Sequence, residues 1–298
     1  MPIHLKLLFA SLFWGATPTI GRVLAHYEAP FAVVFGRFFV AMLFLLLFMW
    51  SAKQFAPVAR RMWWRLLVLG VTGIFLHNGL MYKGLEYTTA TTTSIILALI
   101  ATQVVILDLI FYRKLPDRLA LLGVAVAFLG TLFVITDGRI ETLFSVGFGF
   151  GEMLIFLSAL VWAVYSIVGR DVLEEYSPLL VTTYATVIGV ICLAPSLFAR
   201  PEVTFAIYTD GIAVACIFLL GFIGSALGFL WYYQAVVEMG TVGAAIYINL
   251  VPVFGVLTAA LVLGETLNSA IVGGGLMVFT GVLLVNRPMS ADGEKATT

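Results

Sequence analysis

Apolar residues run in blocks along this chain, separated by short breaks of charge, proline or glycine. A hydrocarbon core about 30 Å thick is crossed by roughly 20 residues of helix rising 1.5 Å each. Ten blocks approach or exceed that length, near 5–25, 31–50, 64–83, 89–112, 118–136, 148–169, 178–199, 209–233, 240–262 and 268–286. The breaks make chemical sense. Pro30, Pro178 and Pro201 stand near helix starts or just past helix ends, where a missing N–H does little harm. Asp137-Gly138-Arg139 reads as a turn, and Arg113 to Arg118 as a short charged hairpin around Pro116. The pattern predicts an all-α integral membrane protein of ten transmembrane helices. Its connections are short, so most neighbours run antiparallel and no soluble domain is left over. The polar tail 290–298 is expected to be disordered and cytoplasmic.

Composition agrees. Hydrophobic residues make up 62% of the 298 and charged residues 11%, against about 25% charged in a soluble domain. There is too little polar surface to face water all round, so lipid is the expected solvent and partner. The net charge of zero and the lack of a basic tract with interleaved aromatics give no case for nucleic acid. Cys192 and Cys216 lie inside apolar blocks, where a disulfide framework is implausible. The block from Leu5 to Ala25 is as long as a span and reads as a retained helix rather than a signal peptide. Basic residues set the orientation. Lys6, Lys53, Arg60, Arg61, Arg65, Arg113, Lys114, Arg118, Arg170, Arg287 and Lys295 fall on the side of the termini. Arg22, Lys83, Arg139 and Arg200 fall on the other, with Arg37 inside the second span. That excess predicts cytoplasmic termini.

The chain also matches itself. Trp14, Gly21, Arg22 and Pro30 recur 148 positions later as Trp162, Gly169, Arg170 and Pro178. Gly70, Gly73, Tyr82, Gly123 and Gly130 recur 151 positions later as Gly221, Gly224, Tyr233, Gly274 and Gly281. Two five-helix units are predicted, 1–143 and 144–289. An odd number of spans per unit makes the second enter from the opposite face, so the repeats are inverted about an axis in the membrane plane. Arg113-Lys114 in the first unit corresponds to Gly264-Glu265 in the second, as that inversion of charge requires.

Several of these residues carry a family likeness. Pro30 with Arg37-Phe38-Phe39 and Ala41, the pair Tyr82-Lys83-Gly84-Leu85 and Tyr233-Gln234-Ala235-Val236, and Pro252 followed by Leu263-Gly264-Glu265 resemble motifs of the drug/metabolite transporter superfamily. The chain looks most like its EamA-type ten-helix exporters, and among them the YddG-type exporters of aromatic and other amino acids. It departs from the pattern where Arg113-Lys114-Leu115 replaces a second Leu-Gly-Glu. The likeness implies export of small metabolites by alternating access across a bacterial inner membrane, with no cofactor or metal.

The residues themselves nominate a site. Ala10, Trp14, Thr17 and Gly21 share one face of the first helix, and Ser158, Trp162, Tyr165 and Gly169 are their mates in the sixth. Interfacial tryptophans belong at span ends. Trp14 and Trp162 fall mid-span, so they line a cavity or pack a core. Pro18 should kink the first helix, and Pro252 should free the carbonyl of Ile248 in the ninth. His77 replaces the glycine found at its mate, Gly228. It is read as a substrate ligand, a proton shuttle or a hydrogen-bonding partner of a neighbouring helix. Tyr82, Tyr233, Tyr247 and Asn249 are further candidates for the cavity wall, with core packing as the alternative. Gly21 and Gly169 are read as close-packing or gating positions. Asp108, expected beside Arg113 or Lys114, and Glu152 are candidates for proton coupling. Arg37 is read as structural, snorkelling to the outer face. An uncharged aromatic cavity suits neutral amino acids and organic cations. The alternatives are an antiporter of phosphorylated metabolites or nucleotide sugars, and an intramembrane enzyme. The latter lacks a clustered catalytic set, since His4, His26 and His77 lie at different depths.

Overall fold

The computed structural model describes residues 1–24, 27, 29–113, 116–139, 141, 149–198, 205–263 and 269–287. The side chains of 18, 19, 21–23, 90, 91 and 259 are outside that description. So are Pro201, the Gly264-Glu265 turn and the tail. Among the described residues every regular element is helical.

Ten membrane helices follow one another. They are α1 (Ile3–Leu24), α2 (Pro30–Ser51), α3 (Arg60–Leu85), α4 (Ala90–Leu97 continued by Ile100–Tyr112), α5 (Arg118–Ile135) and α6 (Phe150–Leu173). Then come α7 (Pro178–Leu193), α8 (211–239), α9 (241–263) and α10 (Ser269–Val285). Among the described residues seven helical stretches are long and apolar enough to span, the longest, Gly211–Thr258, being two spans joined, and Ile3–Thr17 and Ser269–Val285 are shorter apolar helices. Gly240 divides it with φ 78° and ψ 171°, a conformation that a side chain would strain. Helix starts are capped as the sequence suggests. Thr89, Asp117, Ser177 and Asp210 each accept a hydrogen bond from an amide three residues on. Arg287 pairs with Asp117 at 3.1 Å, and the capping amide and this cation together hold that carboxyl below its ordinary range.

The two halves are related by a two-fold axis, visible where helices touch through glycine. In α5 against α10, a Cβ on Gly123 would stand 2.8 Å from the carbonyl oxygen of Gly281, and one on Gly130 2.6 Å from that of Gly274. The reverse contacts are 2.5 Å and 2.7 Å. Each of these glycines is the repeat mate of one in the partner helix, so the crossing maps onto itself. The α3–α7 crossing maps onto α8–α2 in the same way. A Cβ on Gly70 would strike Ile188 and the carbonyl of Ala185. One on Gly221 would strike Val40 and the carbonyl of Arg37, the mates of those two residues. In lipid, helices gain little from burying apolar surface and associate by close backbone packing at small residues.

One feature is absent from the expected spans. The middle of α3, Gly70–Leu76, and the middle of α8, Leu220–Leu227, are wound as π-helix. These stretches are mates, so the local widening is itself repeated.

The α5–α10 glycines give a direct test. Overpacking a filled interface costs about 1–3 kcal/mol. Gly281→Val should therefore lower the melting temperature in detergent by several degrees. Gly273→Ala, a position with nothing within 4 Å of a Cβ, should leave it unchanged.

Candidate functional site: a central aromatic cavity

Indole rings from the two halves meet at the middle of the bundle. Trp14 of α1 and Trp162 of α6 touch edge to face, with centroids 5.8 Å apart and planes at 85°. Phe229 of α8 closes a triangle at 6.0 Å from Trp14 and 5.2 Å from Trp162. Edge-to-face pairs add roughly 0.5–1.5 kcal/mol each beyond their burial, so this cluster is a stiff wall. Trp14 is also fixed by a hydrogen bond, its Nε1–H donating to the carbonyl of Gly224 at 2.7 Å. That carbonyl lies in the π-helical turn of α8, where the usual intrahelical bond is displaced.

The cluster walls a cavity that gives water-sized molecules ≈ 170 Å³. α1 contributes Trp14 and Thr17, and α3 His77, Asn78 and Met81. α4 contributes Ser94, Leu97, Ala98 and Ile100, and α9 Ile248, Val251 and Pro252. The lining runs from mid-depth toward the end of the bundle away from the termini. Side-chain volume differs between the halves. Around α3 and α6, Tyr165 fills the space over Gly73 and His77 lies against Trp162 at 4.8 Å. At the mates, Thr17 stands in place of Tyr165 and lines the cavity, Gly224 has nothing within 4 Å of a Cβ, and Gly228, in place of His77, is covered by the Trp14 indole.

The polar groups are few. His77 Nδ1 lies 3.1 Å from the carbonyl oxygen of Ser158, which can only accept, and 3.0 Å from its Oγ, and the tautomer with the proton on Nδ1 satisfies both contacts. Ser158 Oγ in turn donates to the carbonyl of His77 at 2.8 Å. His77 thus binds its neighbouring helix and lines the cavity as well. Arg37 departs from the expectation of an uncharged cavity. It is only 7% exposed and lines the cavity, and its Nε–H donates to Ser225 Oγ at 2.8 Å. It sits a third of the way into α2, and its guanidinium turns inward to α8 instead of snorkelling. An arginine at helix mid-depth costs about 2.5–3.5 kcal/mol on insertion scales.

Below the cavity, toward the termini, the bundle is shut. Tyr165 stacks on Tyr233 at 4.6 Å, and the Tyr233 hydroxyl donates to the Tyr165 carbonyl. Tyr232 bonds Ser166 at 2.6 Å. Beneath these tyrosines a vestibule of ≈ 660 Å³ opens on the terminal side, with Asp108, Arg170 and Thr241 in its wall. Asp108 of α4 pairs with Arg170 of α6 at 3.1 Å and accepts from Thr241 of α9 at 3.1 Å. Among the described residues its partners are therefore across the bundle, because α4 turns that face inward, while Lys114 lies outside the description. Lys6 to Gln234 at 2.6 Å, and His4 to Tyr247 at 2.6 Å, tie α1 to α8 and α9 on the same side. Glu152, at the other end, caps the Gly149 amide and accepts from Thr88.

Of the residues nominated from sequence, Trp14, Thr17, His77, Trp162 and Pro252 share the cavity wall. Gly228 faces the Trp14 indole and Gly169 the Tyr233 ring. Tyr165 and Tyr233 form the floor. Tyr82 stands beside Arg37. Tyr247 belongs to the terminal-side ties. Asn249 is buried, and its backbone carbonyl accepts from Thr131. The α9 backbone tightens to a 3-10 turn over Ile246–Asn249 just ahead of Pro252. The surroundings of Pro18 and Gly21 lie outside the described residues. Sequence reasoning passed over Phe229 and Met81, whose only signal was their spacing from Gly228 and His77.

Comparison with known proteins accords with this geometry. Residues 1–136 and 149–287 each match the EamA-like transporter family. The uncharacterized transporter YyaM of Bacillus subtilis is 33% identical over 94% of this chain and 92% of its own length. An uncharacterized transporter of Archaeoglobus fulgidus is 30% identical over 94% and 96%. A probable terminal-alkyne amino-acid exporter of Streptantibioticus cattleyicolor is 27% identical over 77% of this chain and 75% of its own. A solved crystal structure superposes with a TM-score of 0.75 over 96% of this chain and 99% of that one, at 14% identity, a likeness of fold alone.

The Asp108–Arg170 pair should hold the terminal side closed. Take a variant with Ser166→Cys as its sole cysteine, Cys192 and Cys216 being replaced by serine. The buried thiol should resist an impermeant thiol reagent applied from the terminal side. Adding Asp108→Asn should raise the labelling rate several-fold. An unchanged rate means that the tyrosine layer closes this side without the ion pair.

Proposed function

The chain belongs to the EamA-like transporter family, and we propose that it is a secondary exporter of neutral amino acids, aromatic ones included. The observation that carries this reading is the aromatic cavity at mid-bundle, walled by Trp14, Trp162 and Phe229 and holding ≈ 170 Å³. A protein cavity of roughly 150 Å³ takes up benzene, so the space suits an amino-acid side chain and is small for a nucleotide sugar. Aromatic walls also attract cationic groups, which extends the expected range to organic cations. The amino-acid exporter among its relatives supports the same class. A sugar-phosphate antiporter would need more than one cation at the cavity to balance a dianion, and Arg37 is the only Lys or Arg among the described lining residues.

Transport then proceeds by alternating access. The described state has its cavity toward the face away from the termini and its terminal side closed. Inverted repeats make the opposite arrangement attainable at similar energy, because one half takes up the conformation of the other. We place the termini in the cytoplasm of a bacterial inner membrane from the excess of Lys and Arg on their side. On that orientation the vestibule is the cytoplasmic entrance and the cavity the release site.

Purified protein in liposomes should carry labelled phenylalanine, threonine or methionine faster than empty vesicles. Met81→Trp, which fills the cavity from α3, should reduce that flux at least tenfold while leaving the melting temperature within a few degrees. Flux of a sugar phosphate and none of the amino acids would instead establish the antiporter.

Orientation is tested separately. Ala56→Cys places one thiol in the exposed α2–α3 connection, again with Cys192 and Cys216 replaced. It should resist an impermeant reagent on intact cells and react after lysis. Labelling on intact cells would invert the topology.

A further inference from the structure

Arg37 is the one charged side chain among the described cavity lining, and the proposed aromatic contacts do not use it. It is 93% withdrawn from solvent. No carboxylate is among the described groups that act on it. Its surroundings are the Ser225 hydroxyl, the Tyr82 hydroxyl and the face of Phe38 at 5.0 Å. A guanidinium carries five N–H donors in a planar fork. Nε–H is committed to Ser225, and Tyr82 can occupy at most part of the rest. The repeat shows that packing alone does not call for a cation here. The mate of Arg37 is Ala185, and it supports the equivalent helix crossing, its carbonyl facing Gly70 as that of Arg37 faces Gly221.

We propose that Arg37 is a substrate-binding residue that recognises the carboxylate of the transported amino acid. The fork offers two parallel N–H groups to the two carboxylate oxygens. The hydrogen bond to Ser225 holds its base to α8, so the fork is aimed before substrate arrives. The opposite pole of a zwitterion has a match on the same wall. In the tautomer whose Nδ1–H donates to Ser158, the neutral ring keeps Nε2 as an acceptor for an ammonium group. Trp14, Trp162 and Phe229 then receive the side chain. A site that hydrogen-bonds one polar group tells its ligand sharply from an analogue lacking it, whereas an apolar wall tells side chains apart only loosely. Selectivity should be sharper for the carboxylate than for the side chain, with organic cations carried more slowly than amino acids.

This rests on the amino-acid reading above, and the experiment separates the two. Measure liposome flux of three labelled compounds with the same ring: phenylalanine, phenethylamine, which lacks the carboxylate, and 3-phenylpropanoate, which lacks the ammonium group. The native protein should carry phenylalanine fastest. Arg37→Gln should lower phenylalanine and phenylpropanoate flux at least tenfold and leave phenethylamine within about twofold. Arg37→Lys keeps the charge without the fork and should show the same ordering with a smaller loss, a result obtainable even if the glutamine variant fails to fold. Ser225→Ala removes the tether while keeping the guanidinium, and should retain the preference for carboxylates. An equal fall of all three fluxes in the folded Arg37 variants would make Arg37 a packing residue and overturn the proposal. So would no fall in any. If the native protein carries phenylpropanoate and no amino acid, the amino-acid reading fails and carboxylate recognition stands. If it carries none of the three, both fail.

Discussion

In hydrocarbon a backbone amide or carbonyl without a partner has no water to turn to, and that constraint decides where this bundle can depart from plain α-helix. It does so in α3 and α8, at the mated π-helical stretches Gly70–Leu76 and Leu220–Leu227, and at the 3-10 turn before Pro252 in α9. All three lead directly into cavity-lining residues. In α8 the carbonyl of Gly224 accepts from the indole of Trp14 in the other half. The ring that walls the cavity is thus also tied to the π-helical stretch, which an aromatic residue without an N–H could not do.

The repeat supplies the frame and the side chains break its symmetry. Backbone crossings obey the two-fold closely, with Gly123 and Gly130 against Gly281 and Gly274, and Gly70 and Gly221 in matching crossings. Function needs the opposite of symmetry at the centre, because a substrate is not two-fold symmetric. The mates diverge there and little elsewhere at these contacts. Tyr165 stands against Thr17, His77 against Gly228, and Arg37 against Ala185. Thr17 in place of Tyr165 leaves room in the cavity, and His77 and Arg37 put polar groups on one wall of it.

The sequence revealed a good deal of this, for identifiable reasons. Hydropathy shows that a helix spans, and the repeat of Trp14 at Trp162 located the central cluster. Hydropathy says little about how a helix is rotated when lipid and core are equally apolar. Asp108 was expected beside Arg113 or Lys114, and among the described residues α4 turns it to Arg170 and Thr241. Arg37 was sent outward for the same reason. Only its contact with Ser225, 188 residues away, shows the inward rotamer. The π-helical stretches left no composition of their own, since Gly70, Gly73, Gly221 and Gly224 read equally well as helix-packing glycines. Tyr247 and Asn249 have the chemistry of a binding site, but Tyr247 is bonded to His4 and the buried amide of Asn249 has no protein hydrogen-bond partner among the described residues.

The closed side also indicates what a change of state must overcome. The tyrosine layer is held by aromatic contact and a few neutral hydrogen bonds, each worth about 0.5–1.5 kcal/mol net. The ion pair beneath it borders a vestibule, where water reaches Arg170 and, to a lesser degree, Asp108. Separating charges that can rehydrate costs far less than separating a pair sealed in the core, for which roughly 3–5 kcal/mol is typical. An alternating-access protein needs both states within a few kcal/mol of each other. A closure made of many modest contacts, with its charged links kept at the edge of water, can hold the terminal side shut and still release it.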